Sequence, residues 1–243
     1  MEDKYAIYTY CTHSQFYFDG LINNKFGKEI KVLGWGEKWI NYVHKLKQLY
    51  DEFKTLDPEF VVIIVDGFDT IINKDPDEAY KIYMDKYSDK ILVAKDITTD
   101  NFFIKYFLKK AFFSSTPINS GLMMGKVKYI LEVFDKIKYY PNMKNDQRFF
   151  NLYTDEYNID VNNVIFKHLN FEEREQSVEN FDSIFIQIPG IIEYNKFING
   201  VYDYIEYLID DIIIILVSIL VIFITMYITL DYKFKLSRLT RCL

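Results

Sequence analysis

The sequence predicts an α/β layered domain on a largely parallel sheet, followed by one membrane-spanning helix. Three observations carry that expectation. Strand-like and helix-like stretches alternate from residue 5 to residue 188, the rhythm of crossover connections between parallel strands. Residues 60–65 (FVVIIV) are a continuous apolar run bounded by Pro58 and Asp66-Gly67, as a strand buried on both faces reads. Residues 212–230 are 19 in succession without a charge. At ~1.5 Å each they make about 28 Å of helix, against a hydrocarbon core of ~30 Å.

The elements follow in order. Residues 5–10 (YAIYTY) are β-branched and aromatic, a first strand; residues 29–33 (EIKVL), closed by Gly34, are a second. Residues 38–54 carry Trp39, Ile40, Val43, Leu46, Leu49, Tyr50 and Phe53 at three- and four-residue intervals, an amphipathic helix. After the 60–65 strand, Asp75 as N-cap and Pro76 as first helical residue open another helix. Residues 90–94 (KILVA) are a further buried strand, 127–139 and 146–157 read as helices, and 184–188 (IFIQI) as a late strand. The expected organisation is a domain over 1–200, a stalk over 201–211, the membrane helix over 212–230 and a basic tail over 231–243.

Half of the 243 residues are apolar and 18% are aromatic, which excludes intrinsic disorder, a collagen-like repeat and a small disulfide scaffold. The net charge of −6 divides unevenly: Lys233, Lys235, Arg238 and Arg241 against Asp231 make the end +3 and leave −9 for the body. An acidic body argues against a nucleic-acid partner. Cys11 and Cys242 lie at opposite ends, a usage that fits a reducing compartment, and Cys242 reads as a free thiol in preference to a palmitoylated one. Orientation is pulled two ways. The basic tail, by the positive-inside rule, places the domain outside. The opening residues, which lead straight into a strand pattern rather than a secretory signal, favour a tail anchor with a cytosolic domain, and this is the expectation adopted.

The chemistry concentrates after the central strand, in Asp66-Gly67-Phe68-Asp69. Two carboxylates there sit at the sheet's carboxyl edge, where they can hold a divalent cation that clamps a diphosphate. The same residues also read as an Asp-Gly turn capping a helix, and the spacing alone leaves both open. Gly34-Trp35-Gly36 lacks the third glycine of a dinucleotide fingerprint, and there is no P-loop, Cys-x-x-Cys or serine elbow. His13, His44 and His168 are too scattered for a metal cluster and read as ordinary histidines.

The order of segments says more. KVLGWGEKW at 31–39, VVIIVDGFD at 61–69, ILVAKD at 91–96, INSGLMMG at 118–125, NDQRFF at 145–150 and VIFKHL at 164–169 follow one another. This series resembles the glycosyltransferase domain of the procollagen lysyl hydroxylase and collagen glucosyl- and galactosyltransferase family, relatives in large DNA viruses included. The resemblance implies a GT-A type nucleotide-sugar fold that uses Mn²⁺ and UDP-glucose or UDP-galactose, with a protein or glycan as acceptor. It implies Asp66 and Asp69 as the pair on metal and diphosphate, and Tyr10, Cys11 and Thr12 around the uridine. Asp96 stands where the family has a glutamate near the donor sugar, and Asn119, Ser120 and Gly121 would form a donor-side loop. Asp146 and Gln147 match an acidic-Gln pair facing the transferred hexose; with Asp96 they are the expected catalytic groups. The family's late strand ends in His-Gly-Asn-Gly, whose histidine completes the metal site. Here Gln187 stands in its place, a neutral oxygen donor weaker for Mn²⁺ than imidazole, and Gly190 falls in the same donor-binding segment. The Cys-Trp that follows the family's glutamate is also absent, since Ile97-Thr98-Thr99 follow Asp96. Two functions are therefore expected in turn: a membrane-anchored, Mn²⁺-dependent hexosyltransferase, and alternatively a non-catalytic relative with a structural or binding role.

Overall fold

The computed structural model describes residues 4–96, 117–143, 145–170, 173–188 and 211–229, with residues 106, 109 and 209. It divides into two compact units, Met1–Ile191 and Ile192–Leu243.

In the first unit a six-stranded sheet has the order β2-β1-β3-β6-β5-β7. Its strands are β1 (Tyr5–Tyr10), β2 (Ile30–Leu33), β3 (Val61–Val65), β5 (Ile91–Lys95), β6 (Ile118–Lys126) and β7 (Tyr157–Asp160). All run one way except β6, which is antiparallel to both its neighbours. A three-stranded sheet is formed by β4 (Thr70–Ile72), β9 (Phe185–Gln187) and β8 (Phe166–His168), with strand order β4-β9-β8. The helices are α1 (Phe18–Ile22), α2 (Tyr42–Phe53), α3 (Pro76–Lys86), α4 (Val127–Phe134) and α5 (Asp146–Asn151).

The continuous apolar reading of β3 has a direct cause. Val62 and Ile64 point into a core formed with Leu46, Leu49 and Phe53 of α2 and Ile130 and Phe134 of α4. Val61, Ile63 and Val65 point the other way, into a core with Ala79 and Tyr83 of α3 and Phe166 and Phe185 of the small sheet. With two-residue alternation and cover on both faces, every position must be apolar.

Several boundaries differ from expectation. The helix expected at 38–54 begins only at Tyr42, because Asn41 is its N-cap: the side-chain oxygen accepts the His44 N–H at 2.8 Å. The helix expected over 127–139 tightens into a 3₁₀ turn from Asp135. The one expected over 146–157 stops at Asn151, whose side chain donates to the Gln147 carbonyl and accepts from Ile118 N–H; Tyr157 then starts β7. No helix follows Asp66–Asp69, where the chain instead enters β4.

The second unit contains α6, the helix Asp211–Thr229, within a residue at each end of the uncharged run. It is the one helix among the described residues long and apolar enough to cross a membrane. Its polar side chains are dealt with internally: Ser218, Thr225 and Thr229 each donate at 2.8 Å to the carbonyl four residues earlier. A span in lipid requires that, since no water is there to accept those protons. Residues 201–208 and 210 of the stalk, the tail with Cys242, and Gly190 lie outside the described residues.

Candidate active site

The carboxyl edge of the main sheet gathers nearly all the polar residues singled out from the sequence. Asp66 follows β3, Asp96 follows β5, and Gln187 and His168 end β9 and β8. Because β6 is antiparallel, its first residues arrive at the same edge. Asn119, Ser120 and Gly121 are therefore strand residues and not the loop expected. A register shift between Val93 and Ala94 moves β5 from Met123 to Asn119 as partner. Such a bulge re-aims the residues skipped, here Ser120 to Leu122.

Asp66 accepts Lys45 Nζ at 3.0 Å on one oxygen and Gln187 Nε2 at 3.2 Å on the other. The same Nε2 lies 3.1 Å from each oxygen of Asp69. Lys45 continues to Asp146 at 3.3 Å, and Asp146 accepts Ser120 Oγ at 3.4 Å and the Gln147 N–H at 2.9 Å. Gln147 Nε2 donates to Asp96, whose other oxygen meets His168 Nδ1 at 2.7 Å. Asn119 closes the chain, with Nδ2 at 2.9 Å from His168 Nδ1 and Oδ1 accepting the Gly121 N–H at 2.6 Å. One hydrogen-bonded network thus runs from Asp69 to Asn119.

Glycines make room for it. A Cβ on Gly121 would collide with the Asp66 carboxylate and the Gln187 amide, and one on Gly67 with Cys11 Sγ and Thr9 Oγ1. Gly34 combines a φ of +74° with a position where a Cβ would stand 2.5 Å from the Tyr10 ring. Tyr10, Cys11 and Thr12 leave β1 at this rim. Tyr10 packs edge-on against Trp39 and His44, and Thr12 carbonyl accepts the Gly36 N–H. Cys11 is buried, and that burial pushes its thiol up to about 11.

Two network members were not expected. Lys45 looks like a polar-face lysine, yet it stands four and eight residues before Leu49 and Phe53 and so shares their buried face. That spacing was the available signal. His168, read as ordinary, alternates with buried Phe166 along β8, which turns it with Phe166 rather than with Lys167. A separate cavity of about 390 Å³ opens among Lys4, Tyr5, Lys28, Lys31, Asp77 and Tyr80 at the amino end of β1. It contains none of these groups, and ligands of such sheets bind at the carboxyl ends.

Residues 4–200 match the family model described as the PLOD GT domain. The chain belongs to the PLOD GT domain family. It is thus a GT-A type glycosyltransferase domain carrying a single apolar helix suited to anchoring in a membrane. No curated protein matches the chain. Among solved structures, it is similar to the galactosyltransferase LgtC in complex with donor and acceptor sugar analogues, at 11% identity and TM-score 0.45, over 83% of this chain and 94% of that one. A glycosyltransferase involved in glycosylation of the major capsid of PBCV-1 gives 10% identity and TM-score 0.49, over 78% and 95%. A197 from STIV gives 11% and 0.38, over 65% and 81%.

The PLOD GT family implies a divalent cation, and the residues present can be weighed for it. Among the described residues no three His, Cys, Asp or Glu side chains gather as a cage. What Asp66, Asp69 and Gln187 offer is two carboxylates and one amide. Gln187 is 5% exposed and its Oε1 is buried with no partner among the described residues. Two carboxylates, with an amide whose oxygen has no other partner among the described residues, fit a hard cation that completes its shell with water and phosphate oxygens.

Proposed function

We propose that the chain is a membrane-anchored, Mn²⁺-dependent glycosyltransferase that moves glucose or galactose from a UDP-sugar to a protein or glycan acceptor. The observation that carries this reading is the network itself: Asp66, one of two carboxylates suited to a cation, shares the buried Lys45 with Asp146, one of the groups expected at the sugar. Asp66, Asp69 and Gln187 would hold the ion. Bound there, it would neutralise charge developing on the departing diphosphate. Tyr10, Cys11 and Thr12 at the end of β1 are the proposed uridine contacts, and Asn119, Ser120 and Gly121 line the donor side. Lys45 fixes Asp66 and Asp146 relative to one another. Asp146 and Gln147, at the start of α5, and Asp96 face the transferred hexose, where a carboxylate can orient an acceptor hydroxyl or balance charge at the anomeric carbon.

The test uses the full chain in detergent, assayed for UDP release from UDP-glucose and UDP-galactose with and without Mn²⁺. Release is expected to need the metal and to fall by at least ~100-fold in Asp66→Ala/Asp69→Ala. Undiminished release in that double variant would sink the metal assignment. A second reading, a non-catalytic relative, draws on Gln187 in place of the family histidine and on Lys45 already pairing with Asp66. Failure to bind UDP at millimolar concentration would favour it.

A further inference from the structure

Gln187 is placed where a cation would be contested. Its Nε2 faces three carboxylate oxygens within 3.2 Å, more acceptors than two amide hydrogens can meet linearly. Its Oε1 is buried on the other side without a partner among the described residues. The terminal torsion of a glutamine is broad and nearly two-fold, so a half-turn exchanges the two ends at small cost. With nothing between the two carboxyl groups, the amide nitrogen faces them and donates, where an amide oxygen would only set one acceptor against others. With a dication between them, the oxygen must face it and the nitrogen must leave. Gly121 leaves the amide nitrogen and the Asp66 carboxylate the room they occupy, since a Cβ there would collide with both.

Resting on the cation reading of the same site, we infer that Gln187 makes this an all-oxygen site that takes Mg²⁺ as readily as Mn²⁺, its amide turning the oxygen toward the ion. Carboxylate and carbonyl oxygens serve Mg²⁺, Ca²⁺ and Mn²⁺ alike, whereas an imidazole nitrogen favours the later, softer ions. The glutamine side chain accomplishes the change at one position. It also explains how two carboxylates stay close with no ion, since the amide nitrogen then occupies the place between them.

The experiment strips the full chain in detergent with a chelator and titrates Mn²⁺ alone, reading free Mn²⁺ by electron paramagnetic resonance. Mg²⁺ is then added in competition. The native chain is expected to release Mn²⁺ at Mg²⁺ concentrations within about tenfold of the Mn²⁺ present. Gln187→His is expected to raise the Mg²⁺ excess required by on the order of tenfold or more. Gln187→Glu keeps the oxygen and adds charge, so both ions should tighten with their ratio preserved; Gln187→Leu should weaken both. These two variants decide the matter if circular dichroism finds the histidine variant unfolded. An unchanged Mg²⁺ requirement in Gln187→His, or undiminished Mn²⁺ binding in Gln187→Leu, overturns the inference. UDP release on the same samples separates it from the transferase reading. Cation binding in the expected ratio without release from either UDP-hexose overturns transfer and leaves the site. Release that needs no metal, with no Mn²⁺ bound, overturns the site and leaves transfer.

Discussion

Lys45 is held by forces that can be measured separately. Burial alone would lower its pKa, but the carboxylates of Asp66 and Asp146 outweigh burial and keep the ammonium above the ordinary lysine range. The side chains of Lys45 and Asp146 are 11% and 9% exposed, so removing the cation strands a buried carboxylate. Lys45→Met should therefore cost roughly 3 kcal/mol in urea unfolding. Lys45→Met/Asp146→Asn should recover a large part of it, the signature of a coupled pair. A loss in the double variant equal to the sum of the two single losses would show the pair to be uncoupled. Asp69 supplies the pH dependence. Burial first, then the charge of Asp66, pushes its carboxyl up to about 8, against the opposing pull of the Gln187 hydrogen bonds and Lys45. A folded pKa raised above the unfolded one means that the stability is fully present below the unfolded value, near 4, and is lost as pH rises through about 8. A cation has to displace that proton. Mn²⁺ affinity should thus fall about tenfold per pH unit below 8, with close to one proton released per ion bound. Calorimetry in two buffers of different ionisation enthalpy counts that proton, and a pH-independent affinity over this window would contradict the assignment.

At the scale of elements, the opening of β6 is a sharp test of how the site is made. Gly121→Ala places a methyl against the Asp66 carboxylate and the Gln187 amide. The strand pairs β3 through neighbouring Leu122, so the fold should survive while Mn²⁺ binding is lost; intact binding in a folded variant would refute the close approach. The same strand shows where sequence reading stops. β1 was readable to the residue because its aromatic and β-branched run needs no outside information, and α3 was readable at its start because Asp75-Pro76 is a local signal. β6 was not, because Asn119-Ser120-Gly121 has turn chemistry, and only pairing on both sides makes it a strand. The helix expected over 146–157 runs too long, into the first residue of β7, since the break at Asn151 comes from a side chain that bonds Ile118, 33 positions away. In the site, the carboxylates and Gln187 were legible from type and order. Lys45 carried a signal in its spacing to Leu49 and Phe53, whereas His168 needed the register of β8, a tertiary fact.

For the whole molecule, the question is which side of a membrane the network faces. The body carries −9 and the segment after Asp211 carries +3, so the positive-inside rule, which acts on short flanks, would draw the tail to the cytosol and put the domain across the membrane. Against that stands tail anchoring. Among the described residues α6 is the helix long and apolar enough to insert, and insertion through it leaves the domain where it folded. A buried, unpaired Cys11 is at ease in the reducing conditions this implies. We therefore expect the domain in the cytosol. In sealed vesicles whose outer face is cytosolic, added protease should destroy an epitope placed before Tyr5 and abolish UDP binding without detergent, while a tag after the basic tail is spared. Protection of the domain until detergent is added would reverse the orientation, and the charge asymmetry around α6 would then be the force that set it.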